Sequence, residues 1–280
     1  MSFVCSGGVR LYYERCGSGP AVIFCHGAGS NAATWWQQIP SFSQCFTCIT
    51  FDSRCFGRSA ADLDAFVPDM FSRDLLAILE AEGVDQAALV CQSMGGMAGL
   101  RFALEHPGRV SAFVPCDTPL AINHAAVLSG VKNYLARAGA SRLEERAMSP
   151  QFVHEHPELA FLYGQINLFN AFANGALQQS RWAEKLALLF SPEYLLEPEC
   201  LQELACPTLF VVGSEDPLLS VDTVREMAAY ARCSQVVEIN DAGHSPYFEQ
   251  PVVFNEVVGG FLRQHLLDLD AVTLGKLCTS

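Results

Sequence analysis

The sequence has few basic residues, no long apolar run and no export signal at its start. Its 17 Lys and Arg residues are outnumbered by 30 Asp and Glu residues, which gives a net charge of −13 at pH 7. This charge argues against a nucleic acid or an anionic membrane as a partner, since both attract basic surfaces. No apolar run is long enough to span a bilayer, and residues 1–6 lack the basic and apolar regions of a secretory signal. We therefore expect a cytoplasmic protein that neither binds nucleic acid nor inserts into a membrane.

Internal repeats and low-complexity tracts are also missing, whereas cysteine is abundant. The chain has 12 cysteines, and without an export signal we expect reduced, mostly buried thiols. Cys45 and Cys48 have the spacing of a redox or zinc half-site, but no second such pair accompanies them. We interpret this pair as part of the packing and expect no metal ion.

Half of the 280 residues are apolar, and apolar runs that are typical of buried strands alternate with helical patterns. This alternation predicts a doubly wound, mostly parallel sheet, which is an α/β architecture. The strand pattern stops between about Leu120 and Leu201, where helical patterns rich in large apolar side chains follow one another. We expect a core built from residues 1–119 and 202–280, with a helical segment at 120–201 inserted after the sixth strand.

The stretch 87–104 predicts a strand, a sharp turn and a helix, with Ser93 at the turn. A serine at such a turn holds its hydroxyl clear of the sheet, beside the amide of Met94 and the positive end of the helix. The usual motif is Gly-x-Ser-x-Gly, and here Cys91 replaces its first glycine. The alternative interpretation is an ordinary helix N-cap serine.

A serine nucleophile needs a base, and the base needs a carboxylate that orients it. His244 follows the last predicted strand and is the strongest candidate for the base, and Asp216 follows the strand before it. Two other carboxylates stay open as the acid: the adjacent Glu215, and Asp117 after the sixth strand. Ligands of such sheets bind at the carboxyl ends of the strands, where all of these residues lie.

With these residues in place, the chain resembles the α/β-hydrolases over nearly its whole length. The order Ser, Asp, His along the chain is that of this family. Five segments carry the resemblance: His-Gly-Ala-Gly at 26–29, residues 52–59, Gln-Ser-Met-Gly-Gly at 92–96, residues 213–217, and Gly-His at 243–244 with Glu249 and Pro251 behind it.

The resemblance implies an oxyanion hole formed by the backbone amides of Ala28 and Met94, and a helical cap that matches the inserted segment. It implies no cofactor. Within the family the chain looks most like serine carboxylesterases and enol-lactonases, and perhydrolases and C–C bond hydrolases share the layout. Cys91 and Cys55 stand where the family usually has glycine. These two departures put the reaction rate in doubt but not the type of reaction.

We therefore expect hydrolysis of a small-molecule ester or lactone with an apolar or aromatic group. The aromatic candidates for substrate contact are Trp35, Phe161, Phe169 and Phe172. Arg54 and Arg58 are the basic residues near the predicted site, and either one, if free, would favour a carboxylated substrate. A small-molecule receptor that keeps an inactive triad, and an acyltransferase, are the competing hypotheses. The sequence leaves a homodimer open.

Overall fold

The computed structural model describes residues 2–137, 142–167 and 176–267, so Phe169 and Phe172 lie outside the described residues. The strands are β1 (Ser2–Ser6), β2 (Val9–Cys16), β3 (Ala21–Cys25), β4 (Thr47–Phe51), β5 (Ala87–Gln92), β6 (Val110–Cys116), β7 (Thr208–Gly213) and β8 (Ser234–Ile239). The α-helices are α1 (Ile39–Phe42), α2 (Met70–Ala81), α3 (Met94–Glu105), α4 (Ala125–Arg137), α5 (Leu143–Ala147), α6 (Pro150–Glu155), α7 (Pro157–Asn167), α8 (Ala176–Leu188), α9 (Val221–Ala228), α10 (Pro246–Glu249) and α11 (Pro251–Leu266).

The eight strands form one sheet in the order β1-β2-β4-β3-β5-β6-β7-β8. Pairing is antiparallel for β1 with β2 and for β2 with β4, and parallel for every other neighbouring pair. The chain passes from β4 at one side of β3 to β5 at the other. The carboxyl ends of the parallel strands therefore meet at one edge, which is where ligands bind in such sheets.

The central strands are apolar because both of their faces are covered. In β3, Ile23 and Cys25 lie in one core cluster, and Val22 and Phe24 lie in the cluster on the opposite face. This alternation follows from the two-residue period of a strand. The uninterrupted apolar runs thus supply both layers of core at once, as expected for a parallel sheet covered by helices on each side.

Helices α4 to α8 follow one another between β6 and β7. The prediction of a doubly wound, mostly parallel sheet with a helical insertion after the sixth strand is confirmed. The function of this helical insertion as a cap, and the domain limits given above, stay predictions.

The cysteines of the described residues are free thiols, and six of them are buried. Cys48 packs in the core while Cys45 is exposed. In the part of the chain that the structure describes, no helix is long and apolar enough to cross a bilayer. The cytoplasmic location stays a prediction.

Candidate active site

Ser93 connects β5 to α3 in a strained backbone conformation. Its φ is +50° and its ψ is −116°, a region that residues with a Cβ adopt only when the surrounding structure enforces it. The N–H of Ser93 donates to the carbonyl oxygen of Cys116 over 3.0 Å, which ties the turn to the end of β6. The turn holds Ser93 half-buried at the carboxyl edge of the sheet.

Cys91 fits at the first glycine position of the turn because α3 carries a glycine opposite it. A Cβ added to Gly99 would lie 2.7 Å from Sγ of Cys91, so the thiol occupies space that the missing side chain leaves. Cys91 is fully buried, and burial raises the pKa of its thiol well above the usual value. The substitution is therefore absorbed in the core beneath the turn.

The second departure from the family pattern, Cys55, has a φ of +69°. Glycine adopts this conformation readily, whereas a residue with a Cβ is strained in it. The Cys55 side chain is buried and its Sγ lies 3.4 Å from the carbonyl oxygen of Asp62. Packing of the thiol thus offsets part of the strain in this loop.

His244 lies between Ser93 and Asp216. Its Nε2 is 3.0 Å from Oγ of Ser93, and its Nδ1 is 3.0 Å from Oδ1 of Asp216. A carboxylate oxygen can only accept, so Nδ1 carries the proton and Nε2 is free to accept from the serine hydroxyl. The side chains of His244 and Asp216 are 6% and 0% exposed, which keeps this series of hydrogen bonds away from bulk water.

Of the candidate acids, Asp216 is the one that the structure bonds to His244. Its Oδ1 also accepts from the N–H of Leu218 over 2.8 Å, which orients the carboxylate. Glu215 is exposed. Asp117 is buried behind Asp216, and its Oδ1 accepts from the N–H of Gly213 over 2.8 Å.

Three further contacts fix His244. The side-chain Nε2 of Gln92 donates to the carbonyl oxygen of His244 over 3.0 Å. The ring of Tyr134, from α4, lies with its centroid 5.6 Å from the imidazole. The third contact comes from Glu249, whose carboxylate accepts backbone N–H groups on both sides of His244, from Gly243 and Ser245.

The same Glu249 carboxylate accepts from the N–H of Ser149, at the start of α6, over 2.7 Å. It therefore joins the turn that carries His244 to the helical insertion. Burial raises the pKa of Glu249 to about 7, although the three backbone donors oppose that shift. Glu249 stood in the sequence motif, but nothing in the sequence indicated that its carboxylate bonds to Ser149, 100 residues away.

The two predicted oxyanion-hole residues belong to segments that meet at Ser93. Met94 is the first residue of α3, so its N–H has no acceptor within the helix. Ala28 follows Gly27 in the loop after β3, and a Cβ added to Gly27 would lie 3.1 Å from Cβ of Ser93. The loop that carries Ala28 is thus in contact with the turn.

His26 orders that loop. Its Nε2 accepts from the N–H of Ser53 over 2.9 Å, so its Nδ1 carries the proton and donates to the carbonyl oxygen of Gly27 over 2.7 Å. Complete burial lowers the pKa of His26. The ring is therefore a neutral link between the loops after β3 and β4.

Helix α7 of the helical insertion is bonded to loops around Ser93. Asn167 accepts from the hydroxyl of Ser30 over 2.5 Å, and the carbonyl oxygen of Ile166 accepts from the side chain of Asn31 over 2.7 Å. The hydroxyl of Tyr163 lies 2.9 Å from that of Ser245, next to His244. The helical insertion is therefore held against the carboxyl edge of the sheet.

Of the predicted substrate contacts, Trp35 is corrected and Phe161 stays a prediction. Trp35 is fully buried and packs against Phe24 and Tyr247, so its ring is part of the core and has no free surface. Phe161 is 66% exposed on α7, so its ring is open to solvent. The spacing of apolar residues does not distinguish aromatic rings of the core from rings that line a pocket. Tyr134 was not predicted near the site, because it lies in α4 and does not follow a strand.

Arg54 has no free charge for a substrate carboxylate, whereas Arg58 is exposed in a groove that Ser93 and His244 do not line. Arg54 is buried and forms a two-pronged ion pair with Asp74, through Nε at 2.6 Å and Nη2 at 2.5 Å. The guanidinium of Arg58 lies 4.3 Å above the ring of Tyr12. The buried carboxylate of Asp52 accepts from the backbone N–H groups of Ala32 and Arg58 and forms no ion pair with either guanidinium.

Comparisons of this chain with known proteins agree on one family. The model of a family described as alpha/beta hydrolase fold matches residues 20–251. The chain is 26% identical over 263 residues to 3-oxoadipate enol-lactonase 2 of Acinetobacter baylyi, covering 91% of this chain and 94% of that protein. It is also 26% identical over 266 residues to 2-hydroxy-6-oxo-6-(2'-aminophenyl)hexa-2,4-dienoic acid hydrolase of Metapseudomonas resinovorans, covering 93% of this chain and 90% of that one.

Among solved structures, Est816, described as an N-acyl homoserine lactone degrading enzyme, superimposes with a TM-score of 0.77. It is 27% identical and covers 93% of this chain and 100% of its own. The hydrolases compared act on different substrates by name. What this chain shares with them is therefore the fold.

Proposed function

This chain belongs to the alpha/beta hydrolase family, and we propose that it is a serine hydrolase that cleaves a carboxylic ester of a small molecule through an acyl-enzyme. One observation carries the proposal. The carboxylate of Asp216, the imidazole of His244 and the hydroxyl of Ser93 are joined by two hydrogen bonds of 3.0 Å each. A serine hydroxyl is a weak nucleophile until a base within hydrogen-bond distance takes its proton.

The reaction begins when Nε2 of His244 accepts the proton of Ser93 as Oγ attacks the ester carbonyl. Asp216 stays ionised and stabilises the imidazolium that forms. His244 then passes the proton to the alcohol oxygen as the carbon–oxygen bond breaks, which leaves an acyl group on Ser93. Water repeats the same steps, releases the acid and restores the serine.

The backbone N–H groups of Ala28 and Met94 are the proposed donors to the oxyanion that forms in each half of the reaction. One donor of this kind is typically worth ~3–4 kcal/mol of transition-state stabilisation. The loop that carries Ala28 is ordered by the neutral His26. We expect this rigid loop to keep the donor in place without reorganisation during the reaction.

A neutral ester, without a carboxylate near the reacting carbonyl, fits the described residues best. Arg54 is paired with Asp74, and Arg58 lines a groove that includes neither Ser93 nor His244, so neither of them places a free cation at Ser93. Tyr134 brings an aromatic face next to His244, which favours an apolar or aromatic group on the substrate.

A lactone is the second candidate, because it is a cyclic ester and passes through the same steps. The enol-lactonase of A. baylyi and Est816 favour it, at 26% and 27% identity. C–C bond hydrolysis and peracid formation on the same three residues remain alternatives. So does a receptor whose triad turns over slowly or not at all.

The test compares wild type with Ser93→Ala, using p-nitrophenyl acetate and butyrate and an N-acyl homoserine lactone. Ser111→Ala is a matched control, since Ser111 lies at the opposite end of β6 from the site. We expect Ser93→Ala to lose on the order of 10⁶-fold in kcat, down to the detection limit, and Ser111→Ala to match wild type. A fluorophosphonate probe should label wild type at Ser93 alone.

Negligible turnover of every ester and lactone by wild type would overturn the proposal, and tight small-molecule binding alongside it would favour the receptor. Product analysis with added methanol separates an acyltransferase, which partitions the acyl group to the alcohol. A preference for the lactone over both acyclic esters would select the second candidate.

A further inference from the structure

A second carboxyl group lies directly behind Asp216. Asp117 follows β6 and Asp216 follows β7, which are neighbouring strands. One carboxylate oxygen of each and a ring nitrogen of His244 lie within 4.8 Å of one another. Asp117 is 1% exposed and the Asp216 side chain 0%, so both groups are shielded from bulk water.

The hydrogen bonds around this pair leave one acceptor without a donor. Oδ1 of Asp216 accepts from His244 and Leu218. Oδ2 of Asp216 is buried and has no donor among the described residues. On the other side, Oδ1 of Asp117 accepts from the N–H of Gly213, and Oδ2 lies 3.0 Å from Sγ of Cys116.

Two carboxylates this close in a buried site strongly disfavour the state in which both are ionised. Burial, and then the negative charge of Asp216, raise the pKa of Asp117 well above its ordinary value. Asp216 is the group that His244 and Leu218 stabilise in its ionised form. The other titratable groups near the pair are Cys116, from β6, and Tyr134, from α4.

We propose that Asp117 is a neutral carboxylic acid whose O–H donates to Oδ2 of Asp216, so that the hydrogen-bonded series runs from Asp117 through Asp216 and His244 to Ser93. The proposal rests on the proposed function and deepens it. Asp117 is a positioning residue: it contacts neither substrate nor Ser93 and acts through Asp216. Its proton supplies the donor that Oδ2 otherwise lacks.

The backbone is consistent with a side chain that is held in place for this contact. Asp117 has a φ of +46°, which is strained for a residue with a Cβ. A neutral donor on Oδ2 also draws negative charge away from Oδ1. The imidazolium of His244 therefore meets a weaker negative charge than an unassisted carboxylate would present.

Three variants test the assignment: Asp117→Asn, Asp117→Ala and Asp216→Asn. The measurements are the pH profile of kcat/KM and the NMR titration of ¹³C-labelled His244, which requires no turnover. Asn keeps an N–H donor for Asp216 and an acceptor for Gly213. We therefore expect kcat/KM of Asp117→Asn to stay within about tenfold of wild type, with the acidic limb of its pH profile unshifted.

Asp117→Ala removes the donor. We expect the acidic limb and the His244 titration to move up by about one pH unit, the size expected for a lost hydrogen bond to a charged group. We also expect kcat to fall by about tenfold or more. In Asp216→Asn, kcat should fall on the order of 10⁴-fold, because the variant favours the wrong imidazole tautomer.

Each other outcome overturns the proposal in a recognisable way. If Asp117 is ionised, both of its variants remove a negative charge and move the His244 titration down. If Asp117 only supports the fold, Tm falls in Asp117→Ala while neither variant moves the titration. If Asp117 is itself the acid of the triad, kcat falls by orders of magnitude in Asp117→Asn and does not in Asp216→Asn.

Infrared spectroscopy gives a readout that does not depend on activity or on the alanine variant folding. Wild type should show the C=O band of a protonated carboxyl group that shifts in D₂O and is absent from Asp117→Asn. The spectra are recorded well above pH 7, where Glu249 is ionised. Absence of the band from wild type refutes the neutral Asp117, whereas absence of ester turnover alone refutes only the proposed function.

Discussion

The side chain of Gln92 is hydrogen-bonded to the main chain of His244, 152 residues away in sequence, through Nε2 and the carbonyl oxygen at 3.0 Å. Gln92 is the last residue of β5 and directly precedes Ser93. The strand that presents the hydroxyl of the proposed nucleophile therefore also holds the backbone of the proposed base.

Gln92→Leu should lower kcat. It removes the donor and leaves a buried carbonyl oxygen unpaired, which we expect to cost about 1 kcal/mol, or about fivefold in kcat/KM. Steady-state kinetics on p-nitrophenyl butyrate measure the effect. KM should change less than kcat, because the bond orients His244 and not the substrate.

Gln86→Leu is the matched control for this contact. Gln86 precedes β5 and donates to the carbonyl oxygen of Gly108 over 2.8 Å, at the opposite end of the strand. We expect its kcat/KM to equal that of wild type. Equal losses in both variants would mean that the effect is a general loosening of β5.

Gly95→Ala should destabilise the fold beneath the site. A Cβ at this position would lie 2.4 Å from the carbonyl oxygen of Cys25 in β3, so strand and helix must move apart. We expect the free energy of unfolding to fall by about 1–3 kcal/mol, measured by urea denaturation.

Gly260→Ala, in α11, isolates the effect of close packing. Nothing lies within 4 Å of a Cβ added there, so alanine should stabilise the helix by about 0.5–1 kcal/mol. If Gly95→Ala were as stable as wild type or more so, the close contact between α3 and β3 would not limit this position.

Glu249 should make stability depend on pH between about 4.5 and about 7. Its pKa is raised to about 7 by burial, from an ordinary value of 4.5, so the folded protein binds a proton more tightly than the unfolded chain. Stability from this group is complete below pH 4.5 and is lost as the pH rises through 7. The shift corresponds to about 3 kcal/mol.

Glu249→Gln removes that titration. Urea denaturation at a series of pH values should show a flatter profile for the variant than for wild type across this window, whatever its stability at any single pH. Parallel profiles would show that Glu249 titrates normally in the folded protein.

The buried ion pair of Arg54 with Asp74 should be sensitive to the loss of one partner. Asp74→Ala leaves a guanidinium that is 2% exposed without its anion, and we expect a loss of about 3–5 kcal/mol. Replacing both residues, as Arg54→Met with Asp74→Leu, should recover much of that loss.

Arg225→Met tests an exposed ion pair of the same type. Arg225 is 56% exposed and bonds to Glu238, and its loss should change the free energy of unfolding by about 0–1 kcal/mol.

A small effect of Asp74→Ala on the free energy of unfolding would indicate that Arg54 finds other acceptors, of which the carbonyl oxygen of Ala65 already provides one.

Much of the fold was predictable from local pattern. The run Ala21–Cys25 is apolar at every position because both faces of β3 are covered, and Gly95 follows Ser93 because α3 packs closely on that strand. Such requirements act within a few residues of one another, so they leave a readable pattern. The sheet, the turn at Ser93 and the position of His244 after the last strand followed from patterns of this kind.

Pairings between distant residues were decided only by the tertiary structure. Asp117 and Asp216 both follow strands, but the paths of their loops set which one meets His244 and which lies behind it. Trp35 lies in the core and Arg54 bonds to Asp74 for the same reason. The sequence determined which chemical groups gather at the carboxyl edge of the sheet. Which of those groups contact one another was decided only by the packing of the layers, because a hydrogen bond forms only when two atoms come within about 3 Å.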